Sequence, residues 1–263
     1  MILNNTYASF INLDHRKDRL QHMEAELKRV NIQAVRTRGM LPQEYKGGAA
    51  YVQVMQNRTK GAIGCHFSQV AVMQEALKQN KHALVMEDDL VFCNDIQSRL
   101  ETITEFTNTH DWDVFWLGST FHQQATWHKS NNGLHTHPDL KGKCFCVLNR
   151  DVEKTDNERI VRTYGCWSTY AYIVNVNSIQ KILDLFDKYI HLSMGIDWLF
   201  ILLQPQLKTY SFIPGCVKQF DNQSDIGKGV TKFSAFSGLG RYWFQTDLKY
   251  FDRATLNQFN NSI

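Results

Sequence analysis

Four apolar residues, Ala83 to Met86, run directly into three consecutive acids, Glu87-Asp88-Asp89. A short, wholly apolar run is the pattern of a strand buried on both faces, as in a parallel sheet covered by helices. Three carboxylates in a row at its end raise one another's pKa and are costly unless something positive sits among them. A divalent cation removes that cost. Hard ions such as Mn²⁺ or Mg²⁺ take oxygen ligands, and one or two carboxylates plus diphosphate oxygens commonly hold them on nucleotides. The plain alternative is a solvated loop whose acids face water or begin the next helix, and the triplet alone does not decide between the two.

The rest of the chain sets this strand in an α/β context. Tyr7 to Leu13 reads as a strand, followed by a charged loop and a helix over about Arg19 to Val30; Ile32 to Val35 reads as a second strand ending at the Arg38-Gly39 turn. Ser68 is placed to cap a helix carrying Val70, Ala71, Met73, Ala76 and Leu77, which Asn80 to His82 interrupts. Ile96, Leu100, Ile103 and Phe106 mark a further helix, and Val114 to Leu117 a buried strand closing at Gly118. Tyr170 to Val174 and Tyr210 to Ile213 read as strands, Ser178 to Tyr189 and Ile196 to Leu203 as helices, the last stopped by Pro205. Between them, Ser119 to Gly165 is polar and irregular, with at most a short strand near Cys144 to Leu148. An aromatic tail from Tyr242 to Phe251 is expected to dock on the core.

Such alternation implies a mainly parallel sheet flanked by helices, with ligands at the carboxyl ends of its strands. Asp14, Glu87 to Asp89 and Gly118 then share one rim. No repeat or linker divides the 263 residues, so the chain is read as one domain, residues 1–263, with a donor-binding half over about 1–118 and an acceptor and closing-loop half over about 119–263.

Composition narrows the partners. A hydrophobic fraction of 43% and a charged fraction of 21% describe a globular chain, which argues against intrinsic disorder. The net charge of +3 is scattered rather than gathered into a stripe, so nucleic acid is not an expected partner. No stretch has the length of a membrane span and Met1 to Thr6 lacks the pattern of a secretory leader, so a cytoplasmic protein is expected, with at most peripheral membrane contact. The six cysteines lie largely in apolar surroundings and read as buried thiols; Cys144 and Cys146 lack the second pair that a zinc site needs. The irregular spacing of His122, His128, His135 and His137 fits exposed loop residues better than a metal site.

Six segments resemble glycosyltransferase family 25, which comprises bacterial lipooligosaccharide galactosyltransferases and collagen hydroxylysine galactosyltransferases. They are Phe10-Ile-Asn-Leu-Asp-His-Arg-Lys-Asp-Arg19, Gly61-Ala-Ile-Gly-Cys-His-Phe-Ser68, Ala83-Leu-Val-Met-Glu-Asp-Asp89, Trp112-Asp-Val-Phe-Trp-Leu-Gly118, Thr169-Tyr-Ala-Tyr172 and Gln223-Ser-Asp-Ile226. They occur in the family's order and cover roughly residues 7 to 230.

The resemblance implies a GT-A type fold and a role for each matching position. Asn12 and Leu13 would line the nucleotide pocket, with Arg16 and Arg19 reaching the base, ribose or diphosphate, although both arginines also suit a solvated helix face. Gly64 and Ser68 would approach the donor, where they also suit a tight turn and a helix cap. Glu87, Asp88 and Asp89 match the acidic motif: Asp89 as metal ligand, Glu87 on metal or ribose, Asp88 on the donor. Asp113, just before its strand, reads as structural. Asp197 would take the acceptor proton as general base, against the alternative of a helix acid favoured by the dipole. Gln219, Ser224 and Asp225 would close over the diphosphate or complete the metal site, with Asp225 counted among the catalytic residues. The chain departs from the family at two positions, with Ala62 where the family often has an acid and Gln69 where it often has a histidine.

The leading expectation is an inverting hexosyltransferase that uses Mn²⁺ (or Mg²⁺) and a UDP-hexose, galactose or glucose, with a glycan terminus or a hydroxylysine of a collagen-like chain as acceptor. A bacterial or viral setting fits the missing leader. Two other classes stay open: a non-catalytic nucleotide-sugar or glycan binding module, which would not release UDP, and a metal-dependent nucleotidyltransferase or phosphohydrolase, which would release pyrophosphate or phosphate.

Overall fold

The computed structural model describes residues 1–41, 44, 60–121, 125–129, 143–147, 153–164, 166–190, 195–219, 222–223 and 230–231. In chain order the elements used below are β1 (Thr6–Asn12), α1 (Lys17–Arg29), β2 (Val35–Arg38), α2 (Lys60–Lys78), β3 (His82–Glu87), β4 (Leu90–Phe92) and α3 (Ile96–Thr109). There follow β5 (Val114–Phe121), β6 (Ala125–Lys129), β7 (Lys143–Val147), β8 (Glu153–Lys154), β9 (Ile160–Thr163), β10 (Cys166–Val174), α4 (Val176–Tyr189) and α5 (Ile196–Leu203). The last strands are β11 (Thr209–Phe212), β12 (Val217–Gln219), β13 (Asn222–Gln223) and β14 (Val230–Thr231).

Eight strands form one sheet in the order β2-β1-β3-β10-β5-β11-β9-β8. β1, β2 and β3 run parallel, β10 opposes β3 and β5, β11 parallels β5, and β9 opposes β11 and β8. Six strands therefore share one direction and two, β10 and β9, are reversed. This is the α/β, mainly parallel, helix-flanked sheet expected from the sequence.

The period-two side-chain alternation of a strand builds a core on each face. Leu84, Met86, Phe115, Leu117, Ala171 and Ile173 face one side, with Met23 and Leu27 of α1 and Leu100, Ile103 and Phe106 of α3. Ala83, Val85, Val114, Trp116, Tyr172 and Val174 face the other, against Val72, Met73 and Ala76 of α2, Ile179, Ile182 and Phe186 of α4, and Leu199 and Phe200 of α5. Each such large apolar side chain, when fully buried, contributes roughly 1.5–3 kcal/mol of hydrophobic transfer.

Helices α1 and α2 end alike. Asn31 and Asn80 each adopt φ of 53°, the left-handed conformation that asparagine tolerates. The next amides bond back five residues, Ile32 N to Leu27 O and Lys81 N to Ala76 O, both at 3.0 Å, turning the chain toward the following strand.

Several boundaries differ from the sequence reading. Ser68 is not a cap, and Gly64 is not in a turn. Both lie inside α2, which begins at Lys60, because the packing of its apolar face on the sheet outweighs the helix-weakening effect of its two glycines. Strand β5 does not close at Gly118 but runs on to Phe121, since β10 pairs with it as far as Cys166 opposite Phe121. The second strand lies at Val35–Arg38, three residues later than expected. The polar stretch holds more strand than expected: β6 pairs with β7, and β8 and β9 extend the main sheet. The aromatic tail lies outside the described residues.

Two short strands missed in the sequence position the site. β4 and β12 pair antiparallel beside the main sheet, Val217 opposite Phe92 and Gln219 opposite Leu90, and Cys93 N bonds Cys216 O at 2.9 Å. The ribbon packs directly over Gly118, where a Cβ would lie 2.7 Å from Val217 O and 2.8 Å from Tyr170 Cε2 and would also collide with Val217 Cγ2. Only a glycine admits so close an approach.

Candidate functional site

The acidic triplet is divided between the two faces of the sheet. Glu87, the last residue of β3, continues the Ala83–Val85 face toward α2, where the Cys65 thiol lies 4.0 Å from its Oε1. Asp88 turns to the opposite face, toward α1. Its Oδ2 accepts from Asn12 Nδ2 at 2.7 Å, and its Oδ1 accepts from Arg19 at 2.6 Å. Asp89 lies between them, 3.3 Å from the same guanidinium nitrogen. From β12, Gln219 Nε2 donates to Glu87 Oε2 and to Asp89 Oδ1, each at 3.0 Å.

The electrostatics are lopsided. The protein packed around Glu87, then the charges of Asp89, Asp197 and Asp88, push its carboxyl well above the ordinary value, and Arg19 offsets only part of this. Burial also raises Asp88, in spite of Arg19 beside it. The Tyr170 phenol is raised too, first by burial and then by Glu87. For Arg19 burial works against its charge, but Asp89 and Asp88 prevail and raise its pKa. Three carboxylates and a single guanidinium are thus the main charges acting on Glu87, an excess that favours a bound cation.

Asp197 opens α5 behind Gly195, and its Oδ1 accepts from Thr169 Oγ1 at 2.9 Å. Its charge acts on Glu87, Cys65 and Tyr170, which places it with the triplet at the carboxyl rim of β3.

Of the expected donor residues, Asn12 and Arg19 converge on Asp88 and Asp89. Leu13 packs against Gly39, whose Cβ would lie 2.9 Å from Leu13 Cδ2. Arg16 precedes α1, and its guanidinium pairs with Asp18 at 2.8 Å. Ser68 sits inside α2, where its hydroxyl donates to Gly64 O at 2.6 Å and accepts from Met40 N at 2.8 Å; it ties the chain after β2 to the helix. Asp113 accepts from Ser178 Oγ and from Lys208 N, the structural role expected of it. Ser224 and Asp225 lie outside the described residues, as do His122, His135 and His137.

Arg36 went unrecognised in the sequence. From β2 its Nε donates to Asn12 Oδ1 at 3.0 Å, so the amide that meets Asp88 is held from both ends. The alternation of charge and polarity in Val35-Arg-Thr-Arg38 marks an edge strand and gave no sign of this contact. Arg36 and Arg38 also grip Asp14, and these bonds lower its carboxyl pKa to about 2.

The oxygens present suit a hard dication. Glu87 Oε2 and Asp89 Oδ1 converge on one Gln219 amide, and both belong to the over-charged cluster. Among the described residues no group of three His, Cys, Asp or Glu side chains is arranged to hold a metal alone. An ion there would need further oxygens, such as those of a bound diphosphate. Among the described residues no helix is long and apolar enough to cross a membrane, and Cys65, Cys93, Cys166 and Cys216 are free thiols.

Comparison with known proteins gives the class. The family model described as "Glycosyltransferase family 25 (LPS biosynthesis protein)" matches residues 7–200, which include β1, the acidic triplet, Thr169 and Asp197. The protein is a glycosyltransferase. It belongs to glycosyltransferase family 25.

No curated protein sequence matches the chain. Solved structures resemble it only distantly. A putative glucose-1-phosphate thymidylyltransferase from Bacillus anthracis is 12% identical over 81% of this chain and 89% of its own, with a TM-score of 0.37. A glycosyltransferase involved in glycosylation of the major capsid of PBCV-1 is 9% identical over 70% and 66%, with a TM-score of 0.32. Mannose-1-phosphate geranyltransferase from Thermus thermophilus is 11% identical over 81% and 76%, with a TM-score of 0.39. Likenesses this remote carry no argument about function.

Proposed function

We propose that the protein is an inverting, metal-dependent hexosyltransferase, moving galactose or glucose from a UDP-sugar to an acceptor hydroxyl. The observation that carries this reading is the convergence of Glu87 and Asp89 on Gln219 within a cluster whose acids outnumber their cations. Mn²⁺ or Mg²⁺ held by Glu87 and Asp89 would supply positive charge to the departing diphosphate. Asn12 and Arg19 hold Asp88 at the donor side, with Leu13, Arg16, Gly64 and Ser68 shaping the surrounding wall. Gln219 stands beside the diphosphate position, Ser224 and Asp225 are the further residues that the family resemblance assigns to it, and exclusion of water there would protect the donor from hydrolysis.

Asp197 is the base of the reaction. The acceptor oxygen forms its bond to the anomeric carbon as the bond from that carbon to the UDP oxygen breaks. The electron pair leaves with UDP, and the acceptor proton passes to the Asp197 carboxylate. The acceptor is a glycan hydroxyl, a choice supported by the lipopolysaccharide role in the family's description; a hydroxylysine of a collagen-like chain is the other acceptor of the same chemistry.

The test is UDP release from UDP-galactose and UDP-glucose with Mn²⁺, offered lipooligosaccharide core oligosaccharides and a hydroxylysine-containing collagen-like peptide. Acceptor-dependent UDP release that stops on chelation is expected. Release of pyrophosphate or phosphate instead, or binding of UDP-sugar without turnover on any acceptor, overturns the proposal.

A further inference from the structure

Behind Asp197 runs a chain of buried polar side chains. Tyr172 OH meets Gln69 Oε1 at 2.7 Å, Gln69 Nε2 meets Thr169 Oγ1 at 3.0 Å, and Thr169 Oγ1 meets Asp197 Oδ1 at 2.9 Å. Gln69 and Tyr172 are fully buried and Thr169 is 2% exposed. Polar groups in a core are costly unless every one is satisfied, and a continuous chain of them fixes one arrangement.

The direction of each bond follows from the last. An ionised carboxylate only accepts, so the single proton of Thr169 points at Asp197. A lone pair of Thr169 is then filled from a donor, the Gln69 amide nitrogen, which also donates to Cys65 Sγ at 3.3 Å. The amide oxygen is left facing Tyr172, whose phenol stays protonated because burial, foremost, and nearby Cys65 raise its pKa well above the usual value. Every proton in the chain points toward Asp197, and reversing any one of them leaves two donors or two acceptors face to face.

We propose that Tyr172, Gln69 and Thr169 are positioning residues that lock the rotamer of Asp197 for receipt of the acceptor proton, an inference that rests on Asp197 being the base. The three span α2 and β10, whereas Asp197 is on α5, so the chain also ties the helix bearing the base to the sheet bearing the acids. Gln69 serves because its amide carries an acceptor and a donor side by side, and one side chain thereby joins two hydroxyls.

The experiment uses the full chain, Mn²⁺, the UDP-sugar and acceptor that support turnover, and UDP binding as a separate readout. Thr169→Val, nearly isosteric, is expected to lower kcat about tenfold to a hundredfold, the factor of a lost hydrogen bond to a charged group, with donor KM and UDP affinity unchanged. Thr169→Ser restores kcat to within about threefold, because the hydroxyl alone is required. Tyr172→Phe lowers kcat about two- to tenfold and adds nothing to Thr169→Val, since both act through one carboxylate. Thermal unfolding of each variant identifies any that fail to fold, and the Thr169→Ser comparison then carries the test.

Wild-type kcat in Thr169→Val, or equal losses of kcat and UDP affinity in both Thr169 variants, overturns the positioning role. An inactive Asp197→Asn beside a normal Thr169→Val removes the positioning proposal alone. An active Asp197→Asn removes the base itself.

Discussion

Gln219 meets Asp89 at 3.0 Å across 130 positions of sequence, and the same amide nitrogen holds Glu87. The bond is possible because β12 pairs with β4, the strand that follows the acids directly. An amide donor softens the repulsion between two carboxylates but brings no full charge, which leaves the cluster open to a stronger partner.

The ribbon's approach depends on Gly118. Its replacement by Ala drives a Cβ against Val217 O and Tyr170, and backbone does not yield as a flexible side-chain end does. We expect a loss of about 1–3 kcal/mol by overpacking and weaker Mn²⁺-dependent UDP binding, as Gln219 shifts two residues beyond Val217. Thermal unfolding and calorimetry measure the two effects. A variant with unchanged stability contradicts the packing argument.

Arg19 is the cation that the cluster does have. Changing it to Met leaves Asp88 and Asp89 buried without it, and losing one partner of a buried pair typically costs about 3–5 kcal/mol. For a chain of this length that lowers the melting temperature by on the order of 10 °C. Mn²⁺ is expected to raise the melting temperature of Arg19→Met by more than that of the wild type, because it supplies the missing charge. Equal increments in the two proteins contradict a shared site.

The raised carboxyls of Glu87 and Asp88 set a pH dependence. A carboxyl whose pKa is higher folded than unfolded binds more protons in the native state, so its contribution to stability falls as pH rises from the ordinary 4.5 or 3.8 through the raised folded value. Without metal, the cluster thus favours a mildly acidic medium over a neutral one. Asp14 acts in the opposite sense: hydrogen bonds from Arg36 and Arg38 hold it at about 2, and its contribution is lost as pH falls below 3.8 toward that value. Stabilisation by Mn²⁺ should grow with pH as protons leave the cluster. Melting curves from pH 5 to 8, with and without Mn²⁺, measure this, and a Glu87→Gln variant should flatten the metal-free curve.

Asp197→Asn keeps the side chain's shape and its acceptor oxygen for Thr169 but cannot take a proton. Donor binding should persist while transfer falls by about a hundredfold or more. Transfer at the wild-type rate removes Asp197 as base.

Much of this was legible in the sequence for a physical reason. Ala83–Met86 and Val114–Leu117 are apolar on both faces, so burial in a helix-covered sheet was their only good fate. Ile196–Leu203 was bounded correctly because its apolar run is stopped by Pro205. Ser68 misled because a serine near glycines resembles a cap, and only packing shows the helix running past it. β4 and β12 are three residues each, too short for any period to register, and their pairing was therefore invisible although it delivers Gln219 to the acids. Gln69 stood out only as a departure from the family's histidine and Tyr172 only as part of the Thr169-Tyr-Ala-Tyr172 segment, because a polar chain between distant segments leaves no local pattern.

The central claim is that Glu87 and Asp89 hold a divalent cation together with a nucleotide diphosphate. Calorimetric titration of UDP into the wild type and Asp89→Ala, each with and without Mn²⁺, tests it directly. Wild-type affinity should rise at least about tenfold with Mn²⁺, a gain of roughly 1.4 kcal/mol, while the variant folds normally and shows no metal-dependent gain. Equal UDP affinity of the wild type with and without Mn²⁺, or an undiminished gain in Asp89→Ala, contradicts it.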